Sequence, residues 1–374
     1  MIAGKATKIS KYTHGGWPRR VSTYLYPRAI LELTMPIISK KKLTYPISGP
    51  LRSYLQQYNR EHTLPIQYAD LLRYDNSATL YDKRDRDTLW ETVYYPAIET
   101  DDILLALKTI YAILKADGDM SVTGHLTIDR VDLCLYGNTR PFRVRIRNKV
   151  NDNFDYFYIK NADASRIYGL ELEHILSPNR ISYLTSGQTL IEEHIAGVPG
   201  DMFFDQQMRD ADMNPIRLSK EFIKFNERCF VRLLGDMHSS NFVVDITPDF
   251  DEVYYRIRAI DFDQQSYEGR KSVYMPQYYR QNQPIIDLGT QYLTPESVRQ
   301  YQIEERSLMA GRLRVEQTRT GDLMTAMRQD QIAPATNVGQ LSQALNRHYR
   351  TRQFDHCHTM GDVVWQSLEL VSQH

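Results

Sequence analysis

Between Thr100 and Gly118 the apolar residues Ile103, Leu104, Leu107, Ile110, Tyr111 and Leu114 recur three and four positions apart. That spacing lines one face of a helix, which the sequence predicts to be capped by Thr100 and stopped by Gly118. The pattern then changes to strands. Leu126 to Tyr136 reads as one strand, Gly137 to Pro141 as a turn and Phe142 to Arg147 as a second strand. In the second strand Phe142, Val144 and Ile146 alternate with Arg143, Arg145 and Arg147, giving one apolar face and one face of three guanidiniums. Asn151 to Asn153 makes the next turn and Phe154 to Lys160 a third strand; Ala162 to Leu176 is predicted helical, ending before Pro178. Strand patterns return at Ile181 to Leu184 and Thr189 to Ile195. Further on, Leu218, Phe222, Phe225, Cys229 and Leu233 mark a long helix, and strands at Phe242 to Val244 and Val253 to Ile260 flank an acidic turn. The tail from Thr294 to His374 is helical by pattern, with caps at Thr294-Pro295 and Gly361-Asp362, whereas the first hundred residues fit neither period.

Composition narrows the class without naming a ligand. The 374 residues are enough for two domains or one large two-lobed unit, and 46 basic residues balance 46 acidic ones. A formal charge of zero gives no global field toward nucleic acid or an anionic membrane. Three dispersed cysteines, Cys134, Cys229 and Cys357, suggest no disulfide framework and fit a reducing, cytoplasmic compartment. Met1 to Lys11 has lysines but no apolar run, so no signal peptide is expected. The His356-Cys357-His358 run, with His348 upstream, follows no zinc spacing. The lysines 40 to 42 and the three strand arginines read as solvated charge.

The chemistry concentrates in Leu234-Gly235-Asp236-Met237-His238-Ser239-Ser240-Asn241 and, about twenty residues later, Ile260-Asp261-Phe262-Asp263. This run resembles the catalytic loop and metal strand of the protein kinase-like superfamily, especially its aminoglycoside and choline kinase branch, where the loop reads G-D-x-H-x-x-N and the metal strand I-D-F-[DE]. The resemblance implies that Asp236 is the catalytic base, that Asn241 and Asp261 ligate Mg²⁺, and that His238 braces the loop. Asp263 either assists the metal or caps the strand.

The same resemblance places a nucleotide. Phe157-Tyr158-Ile159-Lys160 stands where a kinase carries V-A-I-K, so Lys160 is expected to bridge the ATP phosphates, with Glu171 on the following helix as its partner. Leu190 to Gly197 resembles the inter-lobe hinge, with Glu193, His194 and Ile195 facing the adenine through their backbone. Four departures stand out. Leu234 replaces the usual loop histidine, no glycine-rich loop separates the first two strands, and no A-P-E-like segment follows Asp261. Tyr158 takes the place of a small residue and either stacks on the base or fills its pocket.

The fold implied is α+β: a two-lobed, protein-kinase-like arrangement with a β-rich N-lobe at 121–195, a mainly helical C-lobe at 196–374 and an N-terminal extension at 1–120. The implied activity is ATP- and Mg²⁺-dependent phosphoryl transfer to a hydroxyl acceptor, a small molecule rather than a protein. The alternatives are a pseudokinase scaffold and a nucleotidyltransferase that modifies protein. The acceptor and the oligomeric state stay open.

Overall fold

Ser48 accepts a hydrogen bond from the Leu51 amide and Pro50 fills the first turn, which starts α1 at Gly49–Gln57. The computed structural model describes residues 42–372 apart from 137–138, 209–212 and 250–251. The N-terminal reading, Lys40, Lys41 and the Gly137-Asn138 turn therefore lie outside the described residues. After the short α2 (Tyr68–Leu71), strands β1 (Asn76–Tyr81) and β2 (Asp87–Tyr94) form a hairpin, followed by α3 (Ala97–Lys115). Helix α3 begins three residues before the expected Thr100 cap. Pro96 is its N-cap, and the Thr100 hydroxyl bonds back to the Tyr95 and Pro96 carbonyls. Ile98 at that end is 89% exposed, outside the apolar stripe, which is why periodicity places the start too late.

Strands β3 (Leu126–Cys134), β4 (Phe142–Asn148) and β5 (Phe154–Asn161) follow, then α4 (Ala164–Leu176) and strands β6 (Tyr183–Ser186) and β7 (Thr189–Glu193). Three strands, a helix and two strands is the order the sequence predicts. All seven strands pair antiparallel in one sheet of order β1-β2-β3-β4-β5-β7-β6. Residues 76–94 thus extend the same sheet through Trp90↔Cys134 to Val93↔Val131, so this part of the expected extension is built into the sheet. One face of the sheet is the core: Val131, Leu133, Val144, Ile146, Phe157 and Ile159 pack with Ile103, Leu107 and Ile110 of α3. The other face is polar and aromatic. Arg143 reaches the buried Asp132 at 2.8 Å and stacks on Trp90, while Arg147 reaches Asp129 at 3.1 Å. The arginine stripe is therefore paired to the carboxylates of β3.

The remaining elements are β8 (Val198–Pro199), α5 (Gly200–Gln206), α6 (Pro215–Arg232), β9 (Phe242–Asp249) and β10 (Glu252–Ala259), with β8 to β10 forming a second, three-stranded sheet. Helices α7 (Gln283–Tyr292), α8 (Pro295–Val315), α9 (Gln317–Gln329), α10 (Ala335–Tyr349) and α11 (Met360–Ser372) complete the helical part. Thr294 caps α8 through the Ser297 amide as expected, and Asp362 accepts from the His358 and Thr359 amides at the start of α11. The protein is thus α+β, with a sheet-rich part and a helical part. No helix among the described residues is long and apolar enough to cross a membrane.

Helix α4 is the hub between sheet and helices, since every residue of it except His174 is buried. A helix buried all round shows no amphipathic stripe, and its charged residues must find partners inside. Glu171, fully buried, accepts from Arg60 of the loop after α1 at 2.9 Å, from Arg319 of α9 at 2.7 Å, and from the Tyr54 and Tyr183 hydroxyls at 2.5 and 2.7 Å. Burial works to raise its pKa, but the two guanidiniums and two hydroxyls hold it below the usual carboxylate value. Glu173 in turn meets Arg232 at the end of α6.

Candidate functional site

Helix α6 ends at Arg232 with Leu233 in the left-handed region (φ 57°), which turns the chain into the loop that carries Asp236. Leu234, in the place of the usual loop histidine, is fully buried and bridges to Gln265 by backbone. Main-chain bonds anchor the loop there: the Gly235 amide donates to the Gln264 carbonyl at 3.1 Å and the Ser266 amide to the Leu233 carbonyl at 2.8 Å. A side chain at Gly235 would meet Val273 Cγ1 at 2.8 Å and the Gln264 carbonyl at 3.0 Å, so the close approach needs glycine.

Asp236 itself has φ 63°, a strained value that the surroundings over-determine. Its amide donates to the Val273 carbonyl and the Tyr279 hydroxyl, at 3.1 and 3.0 Å. Its carbonyl accepts from the His238 amide at 2.9 Å and from Asn241 Nδ2 at 2.8 Å. Burial pushes the Asp236 carboxyl up to about 7, reinforced by Asp261, Glu268 and Asp263. His238 caps the turn by accepting from the Ser240 amide at 3.4 Å. Its ring lies 4.0 Å from Asp236, and burial lowers its pKa.

Asn241 closes the loop in a short 3-10 turn just before β9. Its carbonyl accepts from the Ile260 amide at 3.0 Å, so Asn241 and Asp261 sit at adjoining strand ends. Asn241 spends Nδ2 on the loop, and its Oδ1 has no partner among the described residues. Asp261 spends Oδ1 on Arg166 (2.8 Å) and on the Asp263 amide (3.0 Å), and its Oδ2 likewise has no partner among the described residues. Hard oxygens of this kind suit Mg²⁺, which keeps waters and shares phosphate oxygens for the rest of its shell. Residues Asn241 and Asp261 therefore fit such an ion.

The lysine is held differently from the expectation. Lys160 donates to Glu192 of β7 at 2.7 Å, while Glu171 is enclosed by Arg60, Arg319 and two tyrosines. The expected Lys160–Glu171 pair is therefore not formed. Register explains the substitution: Tyr158 pairs with Glu192 and Lys160 with Leu190, which makes Lys160 and Glu192 diagonal neighbours on one sheet face. Burial opposes ionisation of Glu192, but Arg166 and Lys160 overcome it and bring the carboxyl down to about 2.

Arg166, in the first turn of α4, was missed by sequence reasoning. Its guanidinium is 2% exposed and binds Glu192 through Nε and Nη2, and Asp261 and Asp263 through Nη1 at 2.8 and 2.7 Å. Burial raises the Asp261 pKa, with Asp263 adding to it, whereas Asp263 is held low against burial by Arg166, Lys160 and Lys42. Lys42 adds a second bolt, donating to Asp163 at 2.7 Å and to the Asp263 carbonyl at 2.6 Å. One signal was available in the sequence. Glu192 interrupts an apolar strand run, and a carboxylate buried there demands cations.

At the expected hinge, the Glu193 and His194 amides are already bonded to the Ser182 and Tyr156 carbonyls, at 3.1 and 3.2 Å. The Glu193 carboxylate is tied to Lys115 at 2.6 Å. Ile195, buried, keeps an amide without a partner among the described residues. Tyr158 bonds through its hydroxyl to His194 Nδ1 at 3.2 Å, across the sheet face next to Lys160. Among the described residues no three His, Cys, Asp or Glu side chains group to hold a metal ion, and His348 contacts Lys271 at 3.2 Å.

No family model matches the chain, and no curated protein matches it. Among solved structures it is similar to the autoinhibited serine kinase domain of the giant muscle protein titin, at 13% identity over 65% of this chain and 92% of that one, with a TM-score of 0.26. Titin kinase with its flanking domains is similar at 13% identity over 66% of this chain and 54% of that one, with a TM-score of 0.24. Likeness this slight carries no functional weight, which falls instead on the residues themselves.

Proposed function

We propose that the protein is a kinase-like phosphotransferase that uses ATP and Mg²⁺ and acts on a hydroxyl acceptor. The observation that carries this reading is the convergence of Asp236, Asn241 and Asp261 through the loop's own hydrogen bonds, with Lys160 tied to the same cluster through Glu192 and Arg166. Asn241 Oδ1 and Asp261 Oδ2 would hold the ion, which neutralises charge on the transferring phosphate oxygens when bound. Lys160, with Glu192 as its one hydrogen-bond partner among the described residues, keeps N–H groups for phosphate. Ile195 offers its amide to a base edge. Asp236, titrating near neutrality, accepts the proton of the attacking hydroxyl. A small-molecule acceptor and a cytoplasmic setting complete the proposal, both resting on the sequence: the acceptor on the family resemblance, the compartment on the dispersed cysteines.

Tyr158 favours a second reading. Its hydroxyl locks onto His194 where the base would lie, which suits a binding module that keeps the fold without turnover.

Calorimetric titration with ATP, with and without Mg²⁺, tests the reading. Mg²⁺-dependent binding in the wild type and its loss in Asp261→Ala are the expected results. Equal affinity in the two proteins would remove Asp261 from the metal site, and no binding by either would favour the non-catalytic module.

A further inference from the structure

Arg166 places a permanent positive charge where a metal-binding carboxylate is expected to be open. Four carboxylates, Glu192, Asp261, Asp263 and Asp163, face three fixed cations, Arg166, Lys160 and Lys42, within one chain of contacts. Arg166 takes the central seat. It is almost wholly buried, its Nη1 lies between Asp261 and Asp263, and its Nε and Nη2 are engaged by Glu192. The α4 backbone holds it there, since Asp163 caps the helix through the Ser165 amide and the Ser165 hydroxyl bonds the Gln265 carbonyl at 2.6 Å. A guanidinium so held cannot swing aside without leaving Asp261 and Asp263 unpaired and Glu192 with Lys160 alone.

We propose that Arg166 is a built-in counter-cation that prevents Asp261 and Asp263 from taking a divalent ion on their own, so that the ion enters only together with the phosphates of a nucleotide. The inference rests on the metal-nucleotide reading above and adds to it an order of binding. Asp261 and Asp263 are both held against the Arg166 guanidinium, and the two oxygens assigned to the ion, Asn241 Oδ1 and Asp261 Oδ2, are too few to strip a well-hydrated ion. Phosphate oxygens supply both the missing ligands and the missing negative charge. Arg166 is in this sense a positioning residue: it orients Asp261 and Glu192 and sets the charge of the site without touching the nucleotide.

The test uses Mn²⁺ as a paramagnetic probe on the full chain, alone and with the β,γ-imido analogue of ATP, the free ion being followed by electron paramagnetic resonance. The wild type alone is expected to leave Mn²⁺ free, and with the analogue to take up one equivalent. Arg166→Gln is expected to bind Mn²⁺ without the analogue at least about tenfold more tightly than wild type, because a unit charge a few ångströms from a divalent ion is removed. Arg166→Lys, which keeps the charge, should behave as wild type, and Arg166→Gln/Asp261→Asn should lose the gain. Wild-type protein that binds Mn²⁺ equally well with and without the analogue overturns the inference and leaves the metal-nucleotide reading standing. A folded Arg166→Gln without the gain does the same. No uptake in either condition overturns both. If Arg166→Gln does not fold, the two wild-type titrations and Arg166→Lys decide the matter.

Discussion

Two buried carboxylates, one on α4 and one on β7 beside it, have surroundings that differ in one respect that matters for chemistry. Glu171 is enclosed by Arg60, Arg319, Tyr54 and Tyr183, which fasten α4 to the loop after α1, to α9 and to β6. Both Glu171 oxygens are taken up by these donors, two to each, so this carboxylate has no oxygen open to an ion. Glu192 shares its cations with Asp261 and Asp263, and around it a lysine, an amide oxygen and a carboxylate oxygen keep unused bonding capacity. Both networks lock the helix in place, but only the second has amide and carboxylate oxygens open among the described residues. Burial and ion pairing do not by themselves mark a site; unspent oxygen acceptors beside a buried charge do.

The largest expected effect separates the two networks. Glu171→Gln leaves Arg60 and Arg319 without their carboxylate and should cost about 3 kcal/mol of stability by denaturant unfolding, with Mg²⁺-dependent ATP affinity unchanged in the folded protein. A loss of affinity larger than the loss of stability would merge the two networks into one. Gly235→Ala comes next. Its methyl would press on Val273 and the Gln264 carbonyl, costing about 2 kcal/mol. A neutral result by the same measurement would mean that the loop is not pinned as described.

Asp236 gives a smaller and pH-dependent effect. Its folded pKa, about 7, lies above the ordinary aspartate value of 3.8. Between those values the native state keeps a proton that the unfolded chain has released, so this group's stabilising contribution is full at acid pH and fades as pH rises to 7. Asp236→Asn removes the titration. Thermal unfolding should therefore show the variant gaining stability relative to wild type at about pH 8 and little at about pH 4. A gain that is the same at both pH values would place Asp236 in a solvated environment.

The sequence made the order of elements legible from β3 to β7, because strands buried on one face alternate cleanly, as Phe142, Val144 and Ile146 do against their arginines. The loop around Asp236 was legible for a different reason: a Gly-Asp pair with an amide five positions on is a dense pattern, and its glycine answers to a real steric need. Three features were hidden. Strands β1 and β2 lie toward the sheet edge with most positions exposed or half-exposed, so no alternation reveals them. Helix α4 is buried on nearly all faces, so an arc of apolar residues could not tell Glu171 from any other inward position. Arg166 reads as an ordinary polar residue near a helix start until the fold brings β7 and residues 261–263 around it. Pairing across sequence separations of 26 and 95 residues is a property of topology, which local pattern does not carry.

The decisive measurement is the Mg²⁺-dependent ATP affinity of Glu192→Gln beside that of Glu171→Gln, each by calorimetry on protein shown to be folded. The account predicts that Glu192→Gln loses about tenfold or more, because Lys160 and Arg166 both lose the carboxylate that orders them, while Glu171→Gln binds as wild type. The reverse outcome, affinity lost with Glu171→Gln and kept with Glu192→Gln, would contradict it and restore the helix carboxylate as the partner of Lys160.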